Sequence, residues 1–292
     1  MKKKKVLLLL AVFVLSVSLI GCQNDATDET GGVVDEEVEE EVAEDSSEEN
    51  EVIDVGVSFF PMKDILLLIE DDLAEDGYDL NIEEFSEYQT PNNLVKNEEL
   101  DANMIQHDYF LQQFNEANDS DLVTVQPIYH ATFALYSKDY EDVDEIPEGT
   151  SITMPDDDTN FSRGLYLLGQ AGLLTFKDGK TVGLTVEDIE ENPKDLKFDD
   201  QVPLTSLAQK YTETGIAIMY PTYAKSLELE GDEERLYVEE QDEVTEDYAI
   251  SLVSREDNKD SEMIETLIKH IKTDKVREFL VDEYSWASKP AF

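Results

Sequence analysis

The segment VIDVGVSFFPMKDILLLIEDDLAEDGYDLNIEEF, residues 52–85, contains a strand–helix–strand pattern. Its first nine residues are rich in valine, isoleucine and phenylalanine, which is typical of a buried strand. Apolar residues then recur at helical spacing over 62–75, and LNIEEF at 80–85 predicts a second strand. Because parallel strands are joined through crossover helices, this segment predicts an α/β fold with a mostly parallel sheet.

The same alternation continues to the end of the chain. Strands are predicted at 101–105, 122–137 with a bend near Pro127, 151–155, 196–198, 215–220 and 248–253. Helices are predicted at 91–99, 106–117, 160–174, 203–211, 222–229 and twice within 260–284. Two such series joined by extended crossings indicate two α/β lobes with a cleft between them. We assign 52–135 plus 247–292 to lobe I and 136–246 to lobe II.

The N-terminus has the residue pattern of an export signal. Four lysines at positions 2–5 precede an apolar or small run over 6–20, which at about 15 residues is shorter than the roughly 20 needed to span a bilayer. The pattern predicts a signal peptide over 1–21, and LIGC at 19–22 resembles the bacterial lipoprotein box, in which Cys22 becomes the acylated first residue. An uncleaved anchor is the alternative, although no basic stop-transfer cluster follows. We therefore expect a protein tethered by lipid to the extracytoplasmic face of the cell membrane.

The segment after the predicted cleavage site is strongly acidic. Residues 22–51 are dominated by glutamate and hold almost no large apolar side chains, which predicts a disordered tether. The whole chain has 70 acidic and 22 basic residues, for a formal net charge of −48. Such charge excludes nucleic acid as a partner, because like charges repel and no basic patch is present. It also suggests a high-salt habitat in which ions screen the self-repulsion.

Sequence motifs of enzymes and metal sites are absent or broken. GKT at 179–181 lacks the upstream glycine of a phosphate-binding loop, since position 174 is Leu174. The calcium-loop pattern that begins at Asp156 has Phe161 where a glycine is required. With three histidines and one cysteine, a structural zinc site is not expected. We predict that the chain is not an enzyme and uses no cofactor or metal.

Six sequence stretches together resemble the NlpA-type family of methionine-binding lipoproteins, which serve ABC importers. They are EFSEYQTPNNLV, DANMIQHDYFLQQFN, ALYSK, the DDTN…R run, DIEENPKDLKF and the terminal KPAF, in family order over the whole body. The resemblance implies a two-lobed periplasmic-binding-protein fold of type II that closes on one small ligand. It also implies an ABC permease as partner and an amino acid, methionine or a related compound, as ligand.

Arg163 is the candidate carboxylate ligand. It is predicted in the first turn of the helix that follows SITMP, where its guanidinium fork could grip an amino-acid carboxylate with help from the helix dipole. A surface arginine paired with one of the many acids is the structural alternative. Asn160, at the predicted N-cap, either caps the helix and contacts ligand or caps it only.

His107, Tyr88 and Phe110 match pocket positions of the family. A histidine after the third strand is as easily explained by a structural hydrogen bond, and the two aromatic rings by ordinary core packing. If they line the pocket, the rings could enclose a thioether through sulfur–aromatic contacts.

The chain departs from the family at several pocket positions. Thr222 and Ile250 replace asparagines, Ile105 replaces an aromatic residue, and Phe59 and Phe60 stand where Pro-Gly is usual. We still include Thr222 among the ligand-binding residues. Because lost amides remove polar partners worth roughly 1 kcal/mol each, the ligand could be a bulkier or more apolar amino acid or a short methionine-containing peptide. A surface lipoprotein of the same fold with a diverged pocket, acting in adhesion or structure, is the alternative function.

Overall fold

The structure is a computed structural model that describes residues 50–229, 231 and 234–292. The predicted signal peptide, Cys22 and nearly all of the predicted tether lie outside the described residues. Among the described residues, no helix has the length and apolar character needed to cross a membrane.

Strands and helices alternate along the described chain. The strands are β1 Glu51–Val57, β2 Tyr78–Glu84, β3 Ala102–Gln106, β4 Leu122–Ala131, β5 Ala134–Ser137, β6 Met154–Pro155, β7 Thr175–Phe176, β8 Ile189–Glu191, β9 Gln201–Val202, β10 Ile216–Met219, β11 Arg235–Val238, β12 Ala249–Arg255 and β13 Ser288–Pro290. The α-helices are α1 Met62–Glu75, α2 Gln89–Lys96, α3 Asp108–Asn118, α4 Asp158–Gln170, α5 Leu207–Thr214, α6 Pro221–Lys225, α7 Glu262–Ile271 and α8 Asp274–Tyr284. The predicted α/β class is confirmed.

The large sheet has six strands in the order β13-β4-β12-β3-β1-β2. Its β1, β2 and β3 pair in parallel, as the opening strand–helix–strand pattern predicts. In contrast, β12 runs antiparallel between β3 and β4, and β13 runs antiparallel to β4. The pairing is therefore more mixed than the mostly parallel arrangement predicted. The reason is that β12 and β13 come from the C-terminal segment, which enters the sheet in the opposite direction.

Helices cover both faces of the large sheet. Helix α1 buries residues at the spacing of one helical face, namely Met62, Ile65, Leu66, Ile69 and Leu73. It packs with α7 and α8 against the sheet. On the other face, α2 and α3 contribute to a second cluster formed by Val95, Leu100, Leu111, Phe114, Leu122 and Val253. The helices on the two faces hold β3 and β12 between them. Part of the candidate site lies at the end of β3 and the start of β12.

The chain between β4 and β12 forms smaller sheets. Strands β10, β5 and β11 pair in that order, antiparallel throughout, and β6 pairs with β9 in parallel. The predicted strand at 196–198 contributes only an isolated bridge at Lys197. The long apolar stretch from Leu122 to Ser137 breaks between Ala131 and Ala134, whereas at Pro127 the strand only shifts register against β12. A register shift tolerates proline because the ladder is already interrupted there.

Helix α4 positions the candidate site from the smaller sheets. It begins at Asp158, two residues earlier than predicted, because the side chain of Asp157 accepts a hydrogen bond from the backbone N–H of Asn160. It ends before Gly172, whose φ of +73° favours glycine and stops the helix short of the predicted residue 174. Its inner face is fully buried against β6 and β10.

Candidate ligand-binding site

A small, mainly apolar cavity lies where the end of β3 meets the starts of α4 and α6. It has about 20 Å³ of free volume, which is enough for roughly one water molecule. Its walls are formed by Phe59, Tyr88, Ile105, Gln106, His107, Phe110, Asn160, Leu204, Tyr220 and Ile250. Four of the six predicted ligand-binding residues, Tyr88, His107, Phe110 and Asn160, are therefore brought together here. Arg163 and Thr222 are not among the lining residues.

His107 caps helix α3 and is held uncharged. Its Nδ1 accepts a hydrogen bond from the backbone N–H of Phe110 at 3.2 Å, so Nε2 carries the ring hydrogen and donates it to Oδ1 of Asn160 at 3.4 Å. Burial, and next the nearby charge of Arg163, lower the pKa of His107 to about 3, while the bond to Asn160 opposes the shift. His107 is thus a neutral cap that also lines the cavity, so its structural and binding interpretations are compatible.

Asn160 lies in the first turn of α4 rather than at the N-cap. Asp157 is the N-cap, and its carboxylate also accepts from Nδ2 of Asn160 at 3.0 and 3.1 Å. This arrangement turns Oδ1 of Asn160 into the cavity wall, where it accepts from His107 and, at 2.5 Å, from the hydroxyl of Tyr220. The prediction that Asn160 itself caps the helix is therefore wrong, because Asp157 performs that role.

Arg163 is fully buried and bound to a carboxylate of the protein itself. Its Nε and Nη2 atoms donate to the two carboxylate oxygens of Glu239 at 2.7 and 2.5 Å. Its Nη1 donates to the hydroxyl of Tyr220 at 3.0 Å, and Nη2 also donates to the carbonyl of Ala131 at 3.2 Å. Because α4 begins at Asp158, Arg163 lies in the second turn of that helix and not in the first, as predicted.

Aromatic rings surround this ion pair. The guanidinium carbon lies 4.6 Å from the ring centre of Tyr248, 5.0 Å from that of Phe133 and 5.4 Å from that of Tyr220. Burial is the largest single influence and would lower the pKa of Arg163, but the charge and hydrogen bonds of Glu239 together with Tyr220 and Tyr248 outweigh it and raise the pKa, so the group stays protonated. The structural alternative for Arg163, pairing with an acid, describes its main contact, although the pair is buried instead of exposed. Its role as a carboxylate ligand stays a prediction.

Tyr88 and Phe110 form one aromatic wall of the cavity. Their ring centres are 6.1 Å apart in an edge-to-face arrangement, and Phe59 meets Tyr88 edge-to-face at 5.9 Å. The Tyr88 hydroxyl pairs with that of Tyr223 in α6, which joins the large-sheet side of the cavity to the other side. Because both rings line the cavity, they could contact the thioether sulfur of a bound ligand, as expected from the sequence.

Thr222 lies one residue past the start of α6 and is half-buried outside the cavity wall. Helix α6 instead directs its N-cap residue, Tyr220, into the wall. The substituted positions Phe59, Ile105 and Ile250 all line the cavity, and Ile250 presents apolar surface where the resemblance implies an asparagine. The predicted contact of Thr222 with ligand stays a prediction.

The remaining cavity amide belongs to a buried network. Oε1 of Gln106 accepts from Asn92 at 2.7 Å, and its Nε2 donates to Oδ1 of Asn92 at 2.5 Å and of Asn103 at 3.3 Å. Asn103 also donates to Asn92 at 2.8 Å. All three side chains are buried, so the network fixes the orientation of the Gln106 amide at the cavity.

Sequence reasoning did not assign Glu239, Tyr220, Gln106 or Leu204 to the site. Glu239 is one of 70 acidic residues and lies in an acidic run, so no local signal distinguishes it. Tyr220 and Gln106 lie next to motif residues that the family resemblance assigns to the pocket, and the helix start at Tyr220 is marked by the following proline. Within the described part of the chain, no group of three His, Cys, Asp or Glu side chains could hold a metal ion.

The sequence and the fold of this chain are similar to those of known proteins. The family model described as NlpA lipoprotein matches residues 53–292. The D-methionine-binding lipoprotein MetQ of Escherichia coli K12 is 32% identical over 209 residues, which are 70% of this chain and 76% of that protein. The crystal structure of a YaeC-family lipoprotein from Enterococcus faecalis has a TM-score of 0.73 and 35% identity, covering 83% of this chain and 100% of that one.

A nutrient-binding protein from Burkholderia cenocepacia, solved bound to methionine, has a TM-score of 0.75 and 26% identity, covering 82% of this chain and all of that one. The predicted two-lobed binding-protein fold is confirmed by these structures. The family match spans the whole body of the chain, as the six sequence stretches predicted. The chain therefore belongs to the NlpA lipoprotein family.

Proposed function

We propose that this chain is the extracytoplasmic solute-binding lipoprotein of an ABC importer. It binds methionine, or a related neutral amino acid or short methionine-containing peptide, at the cavity between residues 52–135 plus 247–292 and residues 136–246. It catalyses no covalent reaction. Cys22 attaches it to the membrane by lipid, and a permease receives the solute. The relatives' names support the ligand class, and the lipoprotein box supports the anchor.

The observation that carries this proposal is the cavity itself. Aromatic and aliphatic side chains form most of its wall, and a few buried polar groups converge on it from both sides. Such a combination suits a solute with an apolar side chain and a polar end. Phe59, Tyr88 and Phe110 offer three rings to a thioether or another apolar group.

The buried charges restrict the solute to one without net charge. Arg163 is neutralised by Glu239, and His107 is uncharged because its pKa is lowered to about 3. A solute with net charge would be enclosed without a counterion, which is strongly unfavourable in a buried site. The zwitterion of methionine meets this condition, whereas lysine, arginine, aspartate and glutamate do not.

Arg163 retains capacity for a solute carboxylate. A guanidinium has five N–H donors, and its contacts with Glu239, Tyr220 and Ala131 use four of them. One N–H on Nη1 is left over, on the same nitrogen that donates to Tyr220, and Tyr220 lines the cavity. A small shift of Tyr220 therefore brings a carboxylate into contact with the guanidinium while Glu239 remains bound.

Solute entry requires the two sides of the cavity to separate. A free volume of about 20 Å³ is too small for an amino acid, and direct bonds cross it from His107 to Asn160 and from Tyr88 to Tyr223. In our proposal these bonds break on opening, and the solute replaces some of them on closing. A solute favours closure only by as much as it contacts the closed arrangement better than the open one.

Isothermal titration calorimetry of the mature chain tests the proposal. The panel contains L- and D-methionine, leucine, phenylalanine, a methionine dipeptide, lysine and glutamate, each at low and at high salt. We expect binding of at least one neutral member and none of lysine or glutamate. Absence of binding across the panel at both salt concentrations would remove the transport role.

A second candidate function is a surface lipoprotein that holds no solute. The bonds between His107 and Asn160 and between Tyr88 and Tyr223 favour it, because the polar groups of the two sides satisfy each other directly. Native mass spectrometry of protein purified under non-denaturing conditions separates the two functions. A co-purifying amino acid or peptide supports transport, and unliganded protein that also fails in calorimetry supports the second function.

A further inference from the structure

Tyr129 has a buried hydroxyl group with no hydrogen-bond partner among the described residues. Its side chain is 1% exposed and belongs to β4, in the interior of the large sheet. Burying a hydroxyl without a partner costs about 1–3 kcal/mol, so such groups are uncommon and need an explanation. A phenylalanine would fill nearly the same space without this penalty.

The strand register brings Tyr129 beside the cavity. Tyr129 lies directly opposite Ile250 in the antiparallel pair of β4 and β12. Residues in such a pair point to the same face of a sheet with their Cβ atoms about 5 Å apart. Because Ile250 lines the cavity, Tyr129 shares the sheet face that borders it, directly behind the lining residues. Burial, and next the proximity of Tyr220 in the cavity wall, raise the pKa of Tyr129.

The polar atoms of the cavity wall are already engaged. Oδ1 of Asn160 accepts two hydrogen bonds, Nδ1 of His107 accepts one, and the amide of Gln106 is bonded on both sides within its network. A solute N–H that enters from the Ile250 side meets an aliphatic surface. The Tyr129 oxygen is a nearby acceptor that no described group uses.

We propose that Tyr129 contacts the solute and determines specificity, with its hydroxyl oxygen accepting a hydrogen bond from the solute's ammonium or amide N–H. The inference rests on the proposed function, since it assigns a contact within the same site. It predicts that the solute carries a nitrogen donor on the side of the cavity where Ile250 of β12 forms the wall. An apolar solute that lacks such a donor would leave the hydroxyl unsatisfied.

The test compares Tyr129→Phe with the unmodified protein by calorimetry against the best neutral solute of the panel. We expect affinity to fall about 10- to 100-fold, as for a lost hydrogen bond to a charged group. We also expect the melting temperature without added solute to stay the same or rise, because the variant removes an unpaired buried hydroxyl. These opposite signs distinguish a solute contact from a structural role, which would lower the melting temperature.

Tyr211→Phe is the matched control. The Tyr211 hydroxyl is bonded to Glu234 at 2.5 Å, away from the cavity wall. Its loss should lower the melting temperature and leave solute affinity unchanged. Affinity of Tyr129→Phe within twofold of the unmodified protein would overturn the assignment while leaving the proposed function intact. If the unmodified protein binds no member of the panel, the proposed function fails and this assignment fails with it.

Discussion

The two sides of the cavity bury their polar groups in different ways. On the α4 and α6 side, a full ion pair is enclosed, with Arg163, Glu239 and Tyr220 bonded to one another. On the β3 and β12 side, the wall is formed by aromatic and aliphatic side chains, and the amide of Gln106 belongs to the neutral network of Asn92, Asn103 and Gln106. One side is therefore organised by charge, and the other by shape and neutral hydrogen bonds.

This difference predicts where the molecule tolerates change. Removing one member of a buried ion pair leaves the other charge in a medium that solvates it poorly, so the charged side should be sensitive to single substitutions. Removing one partner of a neutral hydrogen bond costs less free energy of folding. The charged side should therefore control folding as much as binding, whereas the neutral side can vary and so tune the ligand.

Arg163→Met is the substitution with the largest expected effect. It leaves Glu239 buried without its partner, and we expect the free energy of unfolding to fall by about 3–5 kcal/mol. The double variant Arg163→Met/Glu239→Gln should recover much of that loss because no charge remains buried. Urea denaturation followed by circular dichroism measures both.

Lys275→Met provides the control for this comparison. Lys275 pairs with Asp72 at 2.7 Å, but both side chains are largely exposed, so little change in stability is expected. If Arg163→Met proves no more harmful than Lys275→Met, the buried pair does not stabilise this side and the contrast between the two sides is lost.

The pH dependence of stability tests the neutral state of His107. The pKa of His107 is lowered to about 3 in the folded chain, from an ordinary value near 6.5. Between these values the unfolded chain binds a proton that the folded chain does not, so stability falls as pH is lowered from 6.5 toward 3. The largest possible contribution of one such group is about 1.4 kcal/mol per pH unit.

His107→Asn should remove that contribution while keeping a side chain able to cap α3. Urea denaturation at pH 7, 6, 5 and 4 should give a shallower loss of stability for the variant than for the unmodified protein. The difference isolates His107 from the carboxylates and from His130, whose pKa burial and Arg163 lower to about 4 in both proteins. Equal slopes would show that His107 does not remain neutral.

The contrast between the two sides also explains what sequence could predict. The opening strand–helix–strand pattern predicted β1, α1 and β2 well because period and composition are local properties. His107, Tyr88 and Phe110 were found because they lie within motifs that resemble a family. These residues belong to the neutral side, where adjacent chain segments build the wall.

The charged side depends on contacts between distant segments. Arg163 and Glu239 are 76 residues apart, and nothing near either one indicates its partner. An acid-rich sequence offers many candidates for every arginine, so only the three-dimensional structure identifies the pair. The prediction that Asn160 caps helix α4 was wrong for a local reason. Asp156, Asp157 and Asp158 are all plausible N-cap residues, and only the three-dimensional geometry selects Asp157.

Asp157→Ala tests how the charged side holds Asn160 in place. The Asp157 carboxylate caps α4 and also binds Nδ2 of Asn160, so its loss should lower stability by about 1–2 kcal/mol and weaken solute binding through a mobile Asn160 amide. Asp158→Ala is the control, because among the described residues its side chain makes a single, long contact, with Gln113 at 3.4 Å. Chemical denaturation and calorimetry of both variants check this, and equal effects would contradict the cap assignment.

Tyr88→Phe and Tyr223→Phe give the smallest expected effect and probe the bond that joins the two sides. Each variant should lower the free energy of unfolding by about 1 kcal/mol, because a neutral hydroxyl pair contributes modestly once exchange with water is included. The double variant should be little worse than either single one, since both remove the same bond. Urea denaturation of all four proteins gives the coupling energy directly. Strictly additive effects would mean that the hydroxyl groups act separately, and the neutral side would then have no direct polar link to α6.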